Sequence, residues 1–177
     1  MKRIIAIVLL LFTIGACQQQ QEPKGQLPHA GAPLQMPQQN AQEIALLQDA
    51  VRKDPGNVTA WIQLGNIMMD TSRFSEAVDA YQKALAIDPR NVDVRVDMAT
   101  CYRGMGNSAK AVEEYRKAIE INPKHPYAHR NLGVTLLFDL KDKTGAAKEF
   151  EKYLELSPFA QDASQIRQTL KELKAGN

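Results

Sequence analysis

The strongest constraint on the fold is a repeat of about 34 residues that runs through most of the chain. Four prolines mark it, with spacings of 34, 34 and 35 residues: Pro55, Pro89, Pro123 and Pro158. Two further columns keep the same register, namely Leu64, Met98 and Leu132, and Gly65, Ala99 and Gly133. Trp61, Leu64 and Met68 would share one face of a helix. A unit of this length holds two helices that cannot cover their own apolar face, so the units are expected to stack.

The full set of aligned positions resembles the tetratricopeptide repeat (TPR) motif, W-x₂-L-G…A-x₃-Y…P. Its second half is given by Ala77, Ala111 and Ala146, and by Tyr81, Tyr115 and Phe150. The resemblance covers residues 58–160. It implies an all-α fold in which helical hairpins stack into a right-handed solenoid of about eight helices, including an N-terminal half-repeat and a C-terminal capping helix.

The repeat register divides the chain into seven segments. They are a lipoprotein signal peptide (1–16), a lipidated cysteine with a disordered Gln/Pro-rich tether (17–40), an N-terminal half-repeat helix (41–57), three TPR units (58–91, 92–125 and 126–160) and a C-terminal capping helix (161–177). Asn40, with Glu43 three residues later, is expected to cap the first helix, and Asp162 with Gln165 the last. An extra residue near Leu140 lengthens the third unit.

The first residues predict export and anchoring by lipid. Lys2 and Arg3 precede an apolar run of about a dozen residues, which is too short for a membrane span and suits a signal peptide. The sequence Gly15-Ala16-Cys17 resembles the lipobox of bacterial lipoproteins, where the signal is cut before a cysteine that is then acylated. The resemblance implies lipidation (palmitate) of Cys17 in the cell envelope, with the outer membrane facing the periplasm favoured. A plain secretory signal is the alternative.

The charge balance argues against nucleic acid as a partner. Lys2 and Arg3 account for the formal net charge of +2, since removing them from 22 basic side chains leaves 20 against 20 acidic ones. A neutral domain has no bulk attraction for phosphate backbones or anionic lipid heads. The lipid anchor is therefore the only membrane contact expected.

No group of residues predicts catalysis, and no cofactor, metal or small-molecule substrate is expected. Residues 104–109 fit a G-x-G-x-x-A dinucleotide fingerprint, but they follow a helical pattern instead of a strand, so the glycines are expected to form a turn. His125 and His129 are separated by Pro126, which predicts an exposed loop histidine and a surface helix histidine instead of a metal pair. Cys101 is expected to be a small buried residue.

In TPR proteins the first helix of each unit lines a concave groove, and the resemblance implies that a protein or peptide partner binds there. The predicted groove residues are Ile62, Asn66, Met69, Val96, Thr100, Arg103, Tyr127, Arg130, Val134 and Leu137. Apolar patches and two arginines predict a ligand with apolar anchors and an acidic group, either an amphipathic helix or an extended peptide. In the alternative interpretation, Leu137 packs under the C-terminal helix and the arginines are ordinary solvated charges.

One TPR subtype does not fit these residues. Chaperone-binding TPR domains hold a C-terminal carboxylate with lysine and asparagine side chains. Asn66 occupies one such position, but Ile62 stands where the lysine is expected and Asp97 where an asparagine is expected. Because Asp97 would repel a carboxylate, a chaperone tail is not the expected ligand.

The resemblance therefore implies a non-enzymatic scaffold or assembly factor of the bacterial cell envelope. Similar small TPR lipoproteins assist secretin or pilus assembly and outer-membrane protein insertion, and related periplasmic TPR modules serve cytochrome maturation. The sequence does not choose among these pathways. The alternative function is that of a structural envelope protein that acts through self-association.

Overall fold

The computed structural model describes residues 38–175, which form eight α-helices. They are α1 (Gln38–Lys53), α2 (Val58–Asp70), α3 (Phe74–Ile87), α4 (Val92–Gly104), α5 (Ser108–Ile121), α6 (Pro126–Phe138), α7 (Lys143–Leu156) and α8 (Ala163–Ala175). The all-α prediction is confirmed for this part of the chain. None of these helices is long and apolar enough to span a bilayer. The predicted signal peptide (1–16), Cys17 and most of the predicted tether (17–40) lie outside the described residues.

The helices pack in chain order. α2–α3, α4–α5 and α6–α7 are the tightest pairs, and each second helix packs on the first helix of the next pair. α1 packs on α2, and α8 packs on α7. The first helices of the three pairs (α2, α4 and α6) also contact each other. This is the nearest-neighbour arrangement of a repeat solenoid.

Side-chain caps begin the first helix of every pair. Asn57, Asn91 and His125 lie 34 residues apart, and each accepts a hydrogen bond from the backbone N–H three residues later, at 3.0, 3.1 and 3.1 Å. These bonds satisfy N–H groups that the helix itself leaves unpaired. α1 differs from the prediction, because it begins at Gln38 and Asn40 therefore lies inside the helix instead of capping it.

Small residues allow the two helices of a pair to cross closely. A Cβ atom added to Gly65 would lie 2.4 Å from Cε1 of Tyr81, and one added to Gly133 would lie 2.7 Å from the ring of Phe150. Both aromatic rings are buried. The glycine column of the repeat therefore provides the space that the aromatic column fills.

The buried side chains form two clusters, one within α1–α4 and one within α4–α8, and Tyr102 packs against both. The end helices complete them. α1 contributes Ile44 and Val51, and α8 contributes Leu170 together with two other apolar residues of the same stripe. The opposite side of α8 is polar, as expected of a capping helix.

Glu43 marks the N-terminal end of the array. It occupies the repeat position at which α3, α5 and α7 carry Ala77, Ala111 and Ala146, each 0% exposed. Those alanines are covered by the first helix of their own unit. Glu43 is exposed, since within the described residues no helix precedes α1.

The third unit departs from the first two at the α6–α7 connection. This connection has four residues (139–142), whereas the α2–α3 and α4–α5 connections have three, so the predicted insertion is confirmed. Ser72, Gly106 and Lys141 hold equivalent positions in the three connections and all have positive φ, at 59°, 77° and 60°. Only glycine adopts this conformation without steric cost.

Candidate functional site

α2, α4 and α6 lie side by side. Their side chains that point away from the second helices of the pairs therefore form one surface. We call it the inner face. All ten predicted groove residues lie on these helices. Eight are half-buried, Tyr127 is 59% exposed, and Val96 is buried at 4% exposure.

Val96 is a correction to the predicted groove. Its side chain packs in the core cluster of α4–α8, so it offers almost no surface to a ligand. Val134 and Leu137 pack against the same cluster while remaining half-buried. Ile62 and Met69 pack in the same way against the core cluster of α1–α4.

The two arginines of the inner face are already paired within the molecule, which the sequence did not predict. Nε of Arg103 donates to Oδ2 of Asp139 at 2.7 Å, and its Nη2 donates to Oδ1 at 3.3 Å. Hydrogen bonds from Arg103 hold the pKa of Asp139 below its ordinary value. Arg130 forms an ion pair with Asp162. Each guanidinium therefore already has a countercharge within the chain, which weakens its attraction for the acidic ligand group that the sequence predicts.

Asp162 also differs from its predicted role as a helix cap. Its carboxylate accepts hydrogen bonds from Arg130 and from the hydroxyl of Tyr153. The same carboxylate therefore joins α6 and α7 at the start of α8. These three side chains, together with Tyr127, line a cleft of about 290 Å³ at one end of the inner face.

Polar groups of the inner face are positioned by buried tyrosines of the second helices. The hydroxyl of Tyr81 donates to Oδ1 of Asn66 at 2.8 Å, and the hydroxyl of Tyr115 lies 2.9 Å from Oγ1 of Thr100. Burial raises the pKa of both tyrosines, that of Tyr115 to about 12. The two tyrosines remain neutral, so they fix Asn66 and Thr100 without adding charge.

Three carboxylates remain on the inner face without a basic partner among the described Lys and Arg residues: Asp70, Asp93 and Asp97. We call them the acidic strip. Asp97 is half-buried, and burial followed by the neighbouring charge of Asp93 raises the pKa of its carboxyl to about 6. Asp70 also contributes to this increase. Sequence reasoning singled out Asp97 but missed the strip as a whole.

His125 extends the strip toward α6. Its Nδ1 accepts the N–H of Ala128 at 3.1 Å, so the ring proton lies on Nε2, which donates to Oδ1 of Asp93 at 2.8 Å. The ring of Tyr127 lies edge-on to that of His125, with centroids 6.3 Å apart. The side chain of Asp93 is still 86% exposed, so this carboxylate stays accessible.

The predicted surface position of His129 is wrong, since its side chain is 6% exposed. His129 lies 34 residues after Arg95, which lies 34 residues after Trp61. In each of the three residues a side-chain nitrogen lies 3.0 Å from the carbonyl oxygen of the proline six residues earlier. The repeat register contained this signal, because the tryptophan column faces the core.

The other sequence motifs have structural roles. Nδ1 of His129 lies 2.6 Å from Oε2 of Glu149, and the part of the chain that the structure describes holds no cluster of metal-ligating side chains. Cys101 is fully buried, as predicted, and burial raises the pKa of its thiol to about 12, which makes it a poor nucleophile. Gly106 lies in the α4–α5 turn, as expected, whereas Gly104 is the last residue of α4 instead of a turn residue.

Comparison with protein families gives a match to the cytochrome c-type biogenesis protein H TPR domain over residues 16–165. No curated protein sequence matches the chain. The matched residues include all of α1–α7 and the start of α8.

Three solved structures illustrate the similarity of the fold. The Sgt2 TPR domain from Aspergillus fumigatus is 30% identical, with a TM-score of 0.60 over 67% of this chain and 78% of that one. MamA is 19% identical, with a TM-score of 0.69 over 75% of each chain. The first TPR domain of Spaghetti (RPAP3), solved with the HSP90 peptide SRMEEVD, is 24% identical, with a TM-score of 0.61 over 67% of this chain and 91% of that one.

Proposed function

Because this chain belongs to the family of cytochrome c-type biogenesis protein H TPR domains, we propose that it is a non-catalytic module that binds a partner polypeptide. The observation that carries this proposal is the inner face, a continuous surface across α2, α4 and α6. Peptides and amphipathic helices bind surfaces of this kind through a few apolar anchors and directional polar contacts. Tyr127 and Met69 provide apolar contact area, and Asn66 provides an oriented amide.

The fixed position of these groups supports binding. Asn66 is held by the hydroxyl of Tyr81, and Thr100 lies against that of Tyr115, so both polar groups are oriented before a ligand arrives. A surface that is ordered in advance loses less conformational entropy on binding. These oriented polar groups on rigid helices therefore suit the recognition of a ligand.

A pull-down from envelope extracts tests the proposal. We expect the double variant Met69→Ala/Tyr127→Ala of the full chain to recover its partner about tenfold less well, because truncation of an aromatic anchor and of a second apolar contact is costly. The matched control is Leu46→Ala/Ile87→Ala, which removes exposed apolar side chains outside the inner face. Equal recovery by both variants would exclude the inner face as the binding surface.

We also propose that the module acts at the bacterial cell envelope, held by lipid on Cys17 and facing the periplasm. The support is the lipobox-like sequence Gly15-Ala16-Cys17 after a short apolar run. Each buried methylene of an acyl chain contributes about 0.8 kcal/mol, and two or more chains give stable anchoring. Cys17→Ser should move the protein out of the detergent phase on phase separation. Unchanged partitioning and normal processing would contradict lipidation.

The ligand of the Spaghetti domain is not carried over to this chain. The peptide SRMEEVD ends in acidic residues, whereas the inner face of this protein holds Asp97 and two further carboxylates that have no lysine or arginine partner within residues 38–175. Ile62 also lacks the positive charge that a terminal carboxylate needs. SRMEEVD is therefore a useful negative probe in binding experiments.

A further inference from the structure

The inner face has an uneven charge balance. Its two arginines are each neutralised by an aspartate of the same chain, Arg103 by Asp139 and Arg130 by Asp162. The acidic strip (Asp70, Asp93 and Asp97) has no such compensation from a lysine or arginine within residues 38–175. The charge that the face presents to a partner is therefore negative, although the whole chain is close to neutral.

Asp97 adds a second observation, because its carboxylate is half-buried and has no hydrogen-bond partner among the described residues. A half-buried carboxylate that faces Asp93 and Asp70 is ionised at a cost. No described hydrogen bond or ion pair offsets that cost. A basic side chain supplied by a ligand would remove it, and the free energy released would then appear as binding.

The strip continues into an aromatic anchor. Asp93 contacts His125, and the ring of His125 lies against Tyr127 at the start of α6. Negative charge on α2 and α4 is thus followed by an exposed aromatic ring on α6, with Val134 and Leu137 about two and three turns further along that helix. The inner face therefore presents acidic groups on α2 and α4 beside an exposed aromatic ring on α6.

We propose that the segment bound on the inner face is basic and amphipathic, with lysine or arginine side chains against the acidic strip and an apolar side chain against Tyr127. This inference rests on the proposed function and adds the chemistry of the partner. It reverses the acidic ligand that the sequence predicts. The chain's own residues 18–40 do not qualify as this segment, because they carry only one lysine and one glutamate.

Crosslinking in cells separates this inference from the proposed function. A photoreactive amino acid at position 62, on the inner face, is compared with one at position 83, an exposed lysine of α3 outside it. A captured segment with a net positive charge, seen only from position 62, supports the inference. A captured acidic or neutral segment overturns it and leaves the proposed function standing. No capture specific to position 62 overturns both.

Binding of synthetic peptides gives the second measurement, made on the full chain in detergent. The probe is a labelled 18-residue amphipathic peptide with leucine on one helical face and lysine on the other, and its twin has glutamate in place of lysine. We expect the lysine peptide to bind at least tenfold more tightly than its twin or SRMEEVD in low salt, with a smaller difference at high salt.

The acidic strip is tested with Asp93→Asn/Asp97→Asn, which removes two charges and keeps the side-chain size. Exposed charge pairs are each worth a modest amount, so this variant should bind the lysine peptide about 2- to 30-fold less tightly. Asp79→Asn/Glu120→Gln removes the same number of exposed negative charges elsewhere and should change affinity less than twofold. Equal weakening by both variants, or failure of the lysine peptide to bind better than its twin, overturns the inference.

Discussion

Gly65 and Gly133 determine how closely the helices of their units approach. In most helix interiors, replacing glycine by alanine adds about 1 kcal/mol of stability. Here the added methyl group would meet the buried ring of Tyr81 or Phe150 at less than 3 Å. Replacement of either glycine by alanine is therefore expected to destabilise the protein instead of stabilising it.

We predict that Gly65→Ala lowers the free energy of unfolding by about 1–3 kcal/mol, the usual cost of overpacking a core. Chemical denaturation measures it. Ala99 holds the equivalent position in the second unit, so Ala99→Gly is the reciprocal control and should cost only about 1 kcal/mol through helix propensity. A stabilised Gly65→Ala variant would contradict the close crossing of α2 and α3.

Asp97 predicts a pH dependence of stability. Its pKa of about 6 in the folded chain lies above the ordinary value of 3.8, so its ionisation opposes folding, and this cost grows as the pH rises from 4 to 6. Asp70 and Asp93 face it and raise its pKa, while His125 lowers it. The neighbouring Tyr81 and Cys101 stay neutral over this range.

Asp97→Asn should therefore raise the free energy of unfolding by about 3 kcal/mol at pH 7, because the pKa rises from 3.8 to about 6 and each pKa unit corresponds to about 1.36 kcal/mol. The same substitution should leave the free energy of unfolding nearly unchanged at pH 4. Denaturation curves at the two pH values measure this. Asp79→Asn, at an exposed position on α3, should show no such difference. If the variant and the wild type have the same stability at pH 7, ionisation of Asp97 does not destabilise the folded state.

Residue roles could be predicted from the sequence where the repeat register fixes them. The buried positions of Leu64 and Tyr81 follow directly from this register. The buried position of His129 would also follow from its alignment with Trp61. The partners of Arg103 and Arg130 could not be found this way, because they lie 36 and 32 residues further along the chain. Asp139 belongs to the lengthened connection of the third unit, which has no counterpart in the others.

At the scale of helices, the repeat predicted the three helical pairs α2–α3, α4–α5 and α6–α7, whereas the details of the end helices were harder to predict. α2–α7 have register, caps and prolines in common, so three copies of each signal reinforce one another. α1 shares the register and the following proline, Pro55, but Asn40 with Glu43 predicted a start that lies inside the helix, which begins at Gln38. Asp162 fitted a capping pattern, but Tyr153 and Arg130 compete for its carboxylate.

α8 is predicted to stabilise the third unit by covering α7. Leu170 is buried between these helices, so Leu170→Ala should lower the free energy of unfolding by about 2–5 kcal/mol. Thermal or chemical denaturation followed by circular dichroism measures the loss. Leu46→Ala is the control, because that leucine is exposed on α1 and its removal should cost less than about 0.5 kcal/mol.

The described part of the molecule is a linear array, in which most contacts join helices that are adjacent in sequence. Stability in such an array is close to a sum of unit and interface contributions. The two terminal helices have one neighbour each, whereas α4 and α5 have packed helices on both sides. Local unfolding at the ends of the array therefore requires less free energy than local unfolding in its middle.

Native-state hydrogen exchange should show this gradient. Amides of α4 and α5 are expected to exchange most slowly, and those of α1 and α8 fastest, with protection that falls off toward both ends. Leu170→Ala should accelerate exchange in α7 and α8 while leaving α2 and α3 nearly unchanged. Uniform protection along residues 38–175 would instead indicate a single cooperative unit.

Glu43 has a consequence for how arrays of this kind change in length. A helix added in front of α1 would meet a carboxylate at the point where Ala77, Ala111 and Ala146 present only a methyl group. Duplication of a unit upstream would thus require a second change, Glu43→Ala, before the new helix could pack closely against α1. Units inserted between α3 and α4 meet no such barrier, so gene duplications in this protein would be tolerated inside the array before they are tolerated at its N-terminal edge.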